Sequence, residues 1–132
     1  MAHILVVEDE RDVVTLIKFL LEKDGHRVSE AYNGAEALQF LGVEPDTPKT
    51  KEQLPDLVII DVMMPVMDGF TATRKMNEHG KAKSIPVVVL TAKGQVRDLF
   101  ENAPNVAAYL EKPFDPKKLK EMISSLLGTG PA

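Results

Sequence analysis

The feature that most constrains the fold is a short apolar run, residues 57–60, that ends on an acid, Asp61. Such a run is too short for a buried helix and suits a strand covered on both faces. Pro65 and the pair Asp68-Gly69 then turn the chain away. A carboxylate at the end of a buried strand is costly to ionise unless a positive charge lies close by. The sequence therefore predicts a buried acid that needs a compensating charge.

Length and composition limit the class of protein. A chain of 132 residues is one domain with a single core, and we expect a domain at 1–128 with a C-terminal tail at 129–132. The net charge of −4 argues against non-specific binding to nucleic acid. The chain has no cysteine, which fits a reducing compartment. Its N-terminal apolar run soon reaches acids and is no signal peptide or membrane span, so we expect a cytoplasmic protein.

Strand-like and helix-like segments alternate along the chain. Short apolar runs predict strands at 4–7, 27–31, 57–60, 85–90 and 106–110. Helical spacing and capping residues predict helices at 13–25, 33–41, 70–78, 95–103 and 115–127. The proline-containing stretch 42–55 is predicted to be a solvated loop. Alternation of this kind indicates an α/β fold with parallel strands, right-handed crossovers and helices on both faces.

The predicted strands bring charged and polar residues to one edge of the sheet. Asp9, Asp61, Thr91 and Lys112 each follow a strand, and Glu8 precedes Asp9. Ligands of such sheets bind beyond the carboxyl ends of the strands, so we expect these residues to lie together.

This set of residues has a specific chemistry. Two carboxylates about 4 Å apart repel each other by about 4 kcal/mol at an effective dielectric constant of about 20. A divalent cation relieves that repulsion, and oxygen ligands without His or Cys favour Mg²⁺ over Zn²⁺. Lys112 adds a mobile positive charge that can meet an oxyanion, and Thr91 adds a hydroxyl donor. The combination suits phosphoryl transfer onto an aspartate.

The same motifs resemble those of the receiver domains of two-component response regulators. The resemblance extends from residue 4 to residue 127 and rests on Glu8-Asp9, Asp61 with Met64-Pro65 and Asp68-Gly69, Thr91-Ala92, and Lys112-Pro113-Phe114. It implies a single-domain, flavodoxin-like (βα)5 fold, a doubly wound parallel sheet with strand order 2-1-3-4-5. It also implies a signalling domain that is not an enzyme, apart from its own phosphotransfer and dephosphorylation.

The resemblance further implies roles for the acidic residues. Asp61 would be the phosphoryl acceptor. Asp9, Asp61 and the backbone carbonyl of Met63 would bind Mg²⁺, and Glu8 would support the ion largely through water.

A conformational switch is implied as well. Lys112 would pair with Asp61 at rest and with the phosphoryl group afterwards, and the Lys112-Pro113 bond would be cis. Thr91 would turn to bond a phosphoryl oxygen, and Tyr109 would follow it from an exposed to a buried rotamer.

The implied partners are proteins. A histidine kinase or a histidine phosphotransfer protein would supply the phosphoryl group, and an output partner or downstream domain would bind the region 95–127. No direct nucleic-acid or membrane binding is expected, and the chain would be a monomer or a phosphorylation-dependent dimer.

Other interpretations stay open on the residues alone. A phosphohydrolase with an aspartyl intermediate often carries a second acid two residues beyond the nucleophile, where this chain has Met63. A flavodoxin-like cofactor binder needs a phosphate loop rich in Ser, Thr and Gly after the first strand, which this chain lacks. A receiver-shaped module that is never phosphorylated, a structural ion pair of Asp61 with Lys112, and helix capping by Asp9 or Glu10 are further possibilities.

Two features differ from the usual receiver pattern, and Met63 and Lys93 occupy positions that vary within it. The loop 42–55 is longer than usual. The interval from Thr91 to Lys112 is about one residue short, which predicts a shortened or shifted fourth helix. Met63 is apolar and cannot orient an attacking water, so slow self-hydrolysis of the phosphoryl group is expected.

Overall fold

A single parallel sheet organises the residues that the computed structural model describes, 2–92 and 103–128. The strands are β1 (His3–Val7), β2 (Arg27–Ala31), β3 (Leu57–Asp61), β4 (Val87–Ala92) and β5 (Val106–Lys112). The helices are α1 (Arg11–Lys23), α2 (Gly34–Leu41), α3 (Gly69–Asn77) and α4 (Pro116–Leu127), and short 3-10 turns lie at Lys51–Gln53 and Ala82–Ser84.

The strand order is β2-β1-β3-β4-β5, and every neighbouring pair is parallel. This order confirms the predicted doubly wound α/β fold. Helices α2 and α3 cover one face of the sheet, while α1 and α4 cover the other. Strands β1 and β3 are consequently buried along their whole length. The predicted fourth helix, 95–103, lies outside the described residues apart from Ala103.

Helix ends follow the capping residues that the sequence indicates. The side chain of Asn33 accepts the Glu36 N–H at 2.9 Å, and that glutamate in turn accepts the Tyr32 N–H at 3.0 Å. Asp115 accepts the Lys117 N–H at 3.0 Å. The bonds to Asn33 and Asp115 each satisfy a backbone donor that the first helical turn leaves unpaired, which fixes where α2 and α4 begin.

Three strand boundaries differ from the predicted ones by two residues, namely the start of β4, its end at Ala92 and the end of β5. Strand β4 begins at Val87 rather than at residue 85, because Pro86 has no N–H to donate. Its carbonyl still accepts the Val58 N–H at 3.0 Å. Strand β5 continues to Lys112, where it still pairs with Ala92 of β4. The ladder between β4 and β5 thus carries the lysine to the edge of the sheet.

The loop 42–55 is exposed in its middle, from residue 44 to residue 48, while Val43 and Leu54 near its ends pack against the core and its side chains also contact the end of α3. Lys75 Nζ lies 2.7 Å from Glu44 Oε2, and His79 Nε2 lies 3.2 Å from Asp46 Oδ1. After the loop, the N–H of Asp56 donates to the carbonyl of His3 at 2.7 Å. That contact is at the start of β1, so the loop leads to the sheet edge opposite the strand ends that carry the predicted site.

None of the helices within residues 2–92 and 103–128 has the length and apolar character that crossing a membrane requires.

Candidate functional site

The strand register places the acids side by side at the carboxyl edge of the sheet. Val7 of β1 is opposite Ile60 of β3, so the next residues, Glu8 and Asp61, emerge as neighbours. Both side chains are buried. Asp9, one residue further along the chain, is exposed. The structure therefore brings together the acids that the sequence pattern singled out.

Lys112 reaches these acids from two strands away. Its side chain crosses β4, and Nζ lies 3.3 Å from Asp61 Oδ1. A closer, hydrogen-bonded ion pair joins Lys112 Nζ to Glu8 Oε1. Glu10 Oε1 is 3.8 Å from the same nitrogen. The expected pairing with Asp61 at rest is present, but the shortest contact of the lysine is with Glu8.

Three carboxylates form a cluster that can accept a cation. Glu8, Asp9 and Asp61 each offer an oxygen, and these oxygens all lie within 4.8 Å of one another. Hard oxygen donors with one exposed member suit Mg²⁺, which keeps several of its water ligands when it binds to proteins. The donor set of this chain therefore fits the ion that the sequence predicts.

Burial and charge shift the pKa values in this cluster. Burial raises the pKa of Glu8 to about 7, with a further rise from Asp9 and an opposing effect of Lys112. Burial also raises the pKa of Asp61, although Lys112 opposes the shift. Burial alone would lower the pKa of Lys112, but its contacts with Glu8 and Asp61 outweigh that effect and raise it. One lysine therefore does not fully compensate the acids, and a divalent cation would stabilise their charged forms.

Thr91 and Tyr109 lie on the same face of the sheet. Thr91 is opposite Glu111 in the register between β4 and β5, and Tyr109 is opposite Val89. Side chains two residues apart on a strand point the same way, so Thr91 and Tyr109 are diagonal neighbours. Thr91 is buried, and Tyr109 is half-buried against the face that carries α2 and α3.

The loop between β3 and α3 forms another wall of the site. The side chain of Met63 is 67% exposed. Further along this loop, Val66 adopts a positive φ of 67°. Across the site, the Lys112-Pro113 bond is cis, as the resemblance implies.

Sequence reasoning missed a site contact of Glu10. This residue occupies the N-cap position of α1, but its side chain makes no capping hydrogen bond. Its carboxylate faces Lys112 instead, and its N–H donates to Glu8 Oε2 at 3.2 Å. The sequence feature that could have identified Glu10 is the run of three consecutive acids after β1. A third carboxylate at this edge adds to the negative charge around Lys112.

The strand order and the acid-and-lysine cluster at the carboxyl edge define a flavodoxin-like α/β domain with a charged site. The sequence matches the response regulator receiver domain family over residues 4–124, and the chain belongs to that family of two-component signalling domains.

Named relatives agree with this assignment. Protein PilH of Pseudomonas aeruginosa is 32% identical over 128 residues, which cover 96% of this chain and 98% of PilH. The chain spans about half the length, 47–51%, of several other relatives, among them response regulators and transcriptional regulators.

Solved structures agree as well. The signal receiver domain of a signal transduction histidine kinase from Syntrophus aciditrophicus has a TM-score of 0.81 at 31% identity, covering 98% of this chain and 92% of that one. The receiver domain of the sensor histidine kinase PA1611 from Pseudomonas aeruginosa, with a magnesium ion coordinated in its active site cleft, has a TM-score of 0.78 at 29% identity, covering 96% of this chain and 98% of that one.

Proposed function

We propose that Asp61 accepts a phosphoryl group from a phosphohistidine of a histidine kinase or of a histidine phosphotransfer protein. An oxygen of Asp61 forms the new bond to phosphorus, the phosphorus–nitrogen bond of the donor breaks, and the released imidazole takes a proton. The observation that carries the proposal is the position of Asp61, which is buried at a strand end and 3.3 Å from the Lys112 ammonium. Two further acids lie beside it.

Mg²⁺ is the cofactor that this function requires. Asp9, Asp61 and the backbone carbonyl of Met63 would hold the ion, with Glu8 in support. When bound, it would neutralise charge on the phosphoryl oxygens during transfer. The clustered carboxylate oxygens and the magnesium described for the related receiver of PA1611 support this assignment.

The phosphoryl group would change the conformation of the same edge. It carries about −1.5 to −2 charges and three acceptor oxygens, in place of the single negative charge of the Asp61 carboxylate. Lys112 would move toward these oxygens, and the hydroxyl of Thr91 would donate to one of them. Tyr109, the diagonal neighbour of Thr91, would follow toward the interior. The shared face of Thr91 and Tyr109 supports this coupling.

Membership of the receiver family supports a proposal about the partners. The region 95–127, of which residues 103–127 with β5 and the whole of α4 are described, would contact an output partner or a downstream domain. We propose a monomer or a phosphorylation-dependent dimer, which size-exclusion chromatography with and without a phosphodonor would distinguish. A cytoplasmic location is consistent with the absence of cysteine.

Phosphorylation by a small donor tests the function. The protein is incubated with acetyl phosphate, with and without Mg²⁺, and its intact mass is measured. We expect one phosphoryl group to be added only when Mg²⁺ is present. Asp61→Asn should abolish the gain, whereas Asp12→Asn, an exposed acid on α1, should preserve it. No gain in the wild type would favour a module that is never phosphorylated, and a gain in Asp61→Asn would assign another acceptor.

A further inference from the structure

The outer side of α1 presents apolar side chains to solvent. Phe19 is 61% exposed and Leu16 is 44% exposed, which makes them two of the four exposed large apolar side chains in the described part of the chain. Residues three positions apart are neighbours on a helix surface, so the two form one patch. Asp12 precedes Leu16 by four positions, and Lys23 follows the patch at the same spacing. The resulting stripe has an acid at one end, a base at the other and apolar side chains between them.

We propose that this stripe binds the same stripe of a second copy of the chain, with the two α1 helices antiparallel. A two-fold symmetric interface brings each residue pair together twice. The register that places Phe19 opposite Leu16 of the second copy also joins the charged ends. Asp12 then lies opposite Lys23, because both are four positions from the apolar pair. One register therefore satisfies the apolar and the charged residues together.

The side chains that flank the stripe are compatible with this register. Thr15 lies opposite Leu20, and Glu22 lies opposite Val13, so these pairs put no like charges opposite each other. Leu20 and Val13 are partly buried against the core that α1 covers. Their remaining exposed surface widens the apolar contact.

The charges at the ends of the stripe are available for such a contact. Asp12 and Lys23 are exposed, and within residues 2–92 and 103–128 neither forms an ion pair in its own molecule. Lys18 of the same helix, by contrast, already pairs with Glu30 of β2 at 2.8 Å. Each end of the stripe is about 8 Å from its centre, at 1.5 Å per helical residue. The end charges therefore meet when the helices cross at a shallow angle of about 20°, which is common for packed helices.

The stripe is small, so the association is weak. A helix of 13 residues is about 20 Å long, and interfaces below about 1,200 Å² are typical of transient contacts. Dilute protein is then a monomer. The stripe contains none of the residues to which the proposed function assigns a role, so this pairing needs no phosphoryl group.

Sedimentation equilibrium of the full chain tests the pairing at concentrations from about 0.02 mM to about 1 mM, where weak affinities are measurable. Without a phosphodonor, the average mass should rise with concentration from that of one chain toward that of two. Phe19→Glu should keep the protein monomeric over the whole range. Val66→Glu is the matched control, because it places the same charge on another exposed apolar residue, and it should leave the association unchanged.

Exchanging the end charges tests the antiparallel register. Asp12→Lys and Lys23→Glu each put like charges opposite each other, and each should weaken the dimer about fivefold, the scale of two exposed ion pairs. A mixture of the two variants should associate again, since each chain supplies the charge that the other lacks. The double variant should associate as the wild type does in antiparallel helices, whereas parallel helices would place like charges together in both proteins.

Three results would overturn the inference. A wild type that is monomeric at the highest concentration leaves this face to another molecule. A dimer that persists in Phe19→Glu belongs to a different surface. A mixture of the charge variants that associates no better than either variant alone excludes the antiparallel register. None of these measurements uses a phosphodonor, so failure of the proposed function would leave them unchanged.

Discussion

At the residue scale, Val66 is the side chain that fits its backbone conformation least. Its φ of 67° lies in the left-handed region, which costs an ordinary residue about 1–2 kcal/mol and suits a β-branched one poorly. The side chain is 84% exposed, so packing does not repay that cost. The strained residue lies in the loop that follows Asp61, where strain often accompanies function.

Replacing Val66 with asparagine should therefore stabilise the protein. Asparagine tolerates the left-handed region, so we expect Val66→Asn to raise the free energy of unfolding by about 1 kcal/mol. Urea denaturation measures the change. Met63→Asn introduces the same side chain into the same loop at a position without positive φ. An equal gain in both variants would show that backbone strain is not the cause.

Met63→Asn should instead shorten the life of the phosphorylated protein. A thioether is a weak hydrogen-bond acceptor, whereas an amide can orient a water molecule for attack on the phosphorus. We expect phosphoryl loss to be several-fold faster than in the wild type. Intact mass, measured over time after the phosphodonor is removed, reports this loss. Val66→Asn is the matched control, and an unchanged rate in Met63→Asn would contradict the prediction.

The residue types of the site could be predicted, but their pairing could not. Acids and a lysine that follow buried strands must gather at one edge, whatever the details of packing. The choice of Lys112 between Glu8 and Asp61 depends on side-chain reach and on the complete burial of Glu8. The contribution of Glu10 depends on how α1 leaves the sheet. The acidic run after β1 indicates that Glu10 lies near this edge, but no spacing in the sequence encodes which partners these side chains take.

At the element scale, the close contact between α3 and the end of β3 supports the site. The N–H of Gly69, the first residue of α3, donates to the carbonyl of Val62 at 2.9 Å. A Cβ on Gly69 would lie 2.2 Å from the backbone oxygen of Asp61. The helix can approach the acceptor strand this closely only because residue 69 has no side chain.

Gly69→Ala should consequently destabilise the protein and displace Asp61. We expect a loss of about 1–3 kcal/mol in the free energy of unfolding, the usual cost of overpacking. Chemical denaturation measures it. Gly80→Ala is the control, because no heavy atom lies within 4 Å of the added carbon. Equal losses in the two variants would mean that the contact with Asp61 is not responsible.

Capping residues and apolar runs predicted most elements, and the errors have local causes. Strand β4 starts late because of Pro86, and β5 extends because its neighbour continues the ladder. The 3-10 turn Ala82–Ser84 has too short a pattern to be recognised. The attachment of the loop 42–55 to α3 and the residues just after it comes from the Lys75–Glu44 ion pair and the His79–Asp46 hydrogen bond, which join residues distant in sequence and which local patterns do not encode.

At the scale of the whole molecule, stability depends on pH through a histidine far from the charged site. His3 lies at the start of β1 and is 8% exposed. Its Nε2 is 2.7 Å from Ser29 Oγ. Burial and the nearby Arg27 lower the pKa of His3 below its ordinary 6.5, although the charge of Asp56 opposes the shift. The folded protein thus disfavours the charged imidazole.

Acidification should weaken the fold through His3. Below pH 6.5 the unfolded chain binds a proton at this residue that the folded chain does not, so stability falls as the pH falls. From about pH 7.5 to about pH 5.5, the wild type should lose more stability than His3→Gln, by at most about 1.4 kcal/mol per pH unit. Urea denaturation across this range measures the difference between the wild type and His3→Gln. The titration of Glu8 is common to both proteins, so it cancels in that difference. Parallel curves would exclude His3 as the cause.

The contact between Lys112 and Glu8 also has a consequence for biosynthesis. The two residues are 104 positions apart in the chain. The acids that follow β1 emerge from the ribosome long before the strand that carries their counter-charge, and pairings between such distant residues slow folding. A nascent or partly folded chain has the acids at this edge but lacks the lysine that balances their charge. On the proposed function, only molecules whose last strand has joined the sheet would then have the complete charged site.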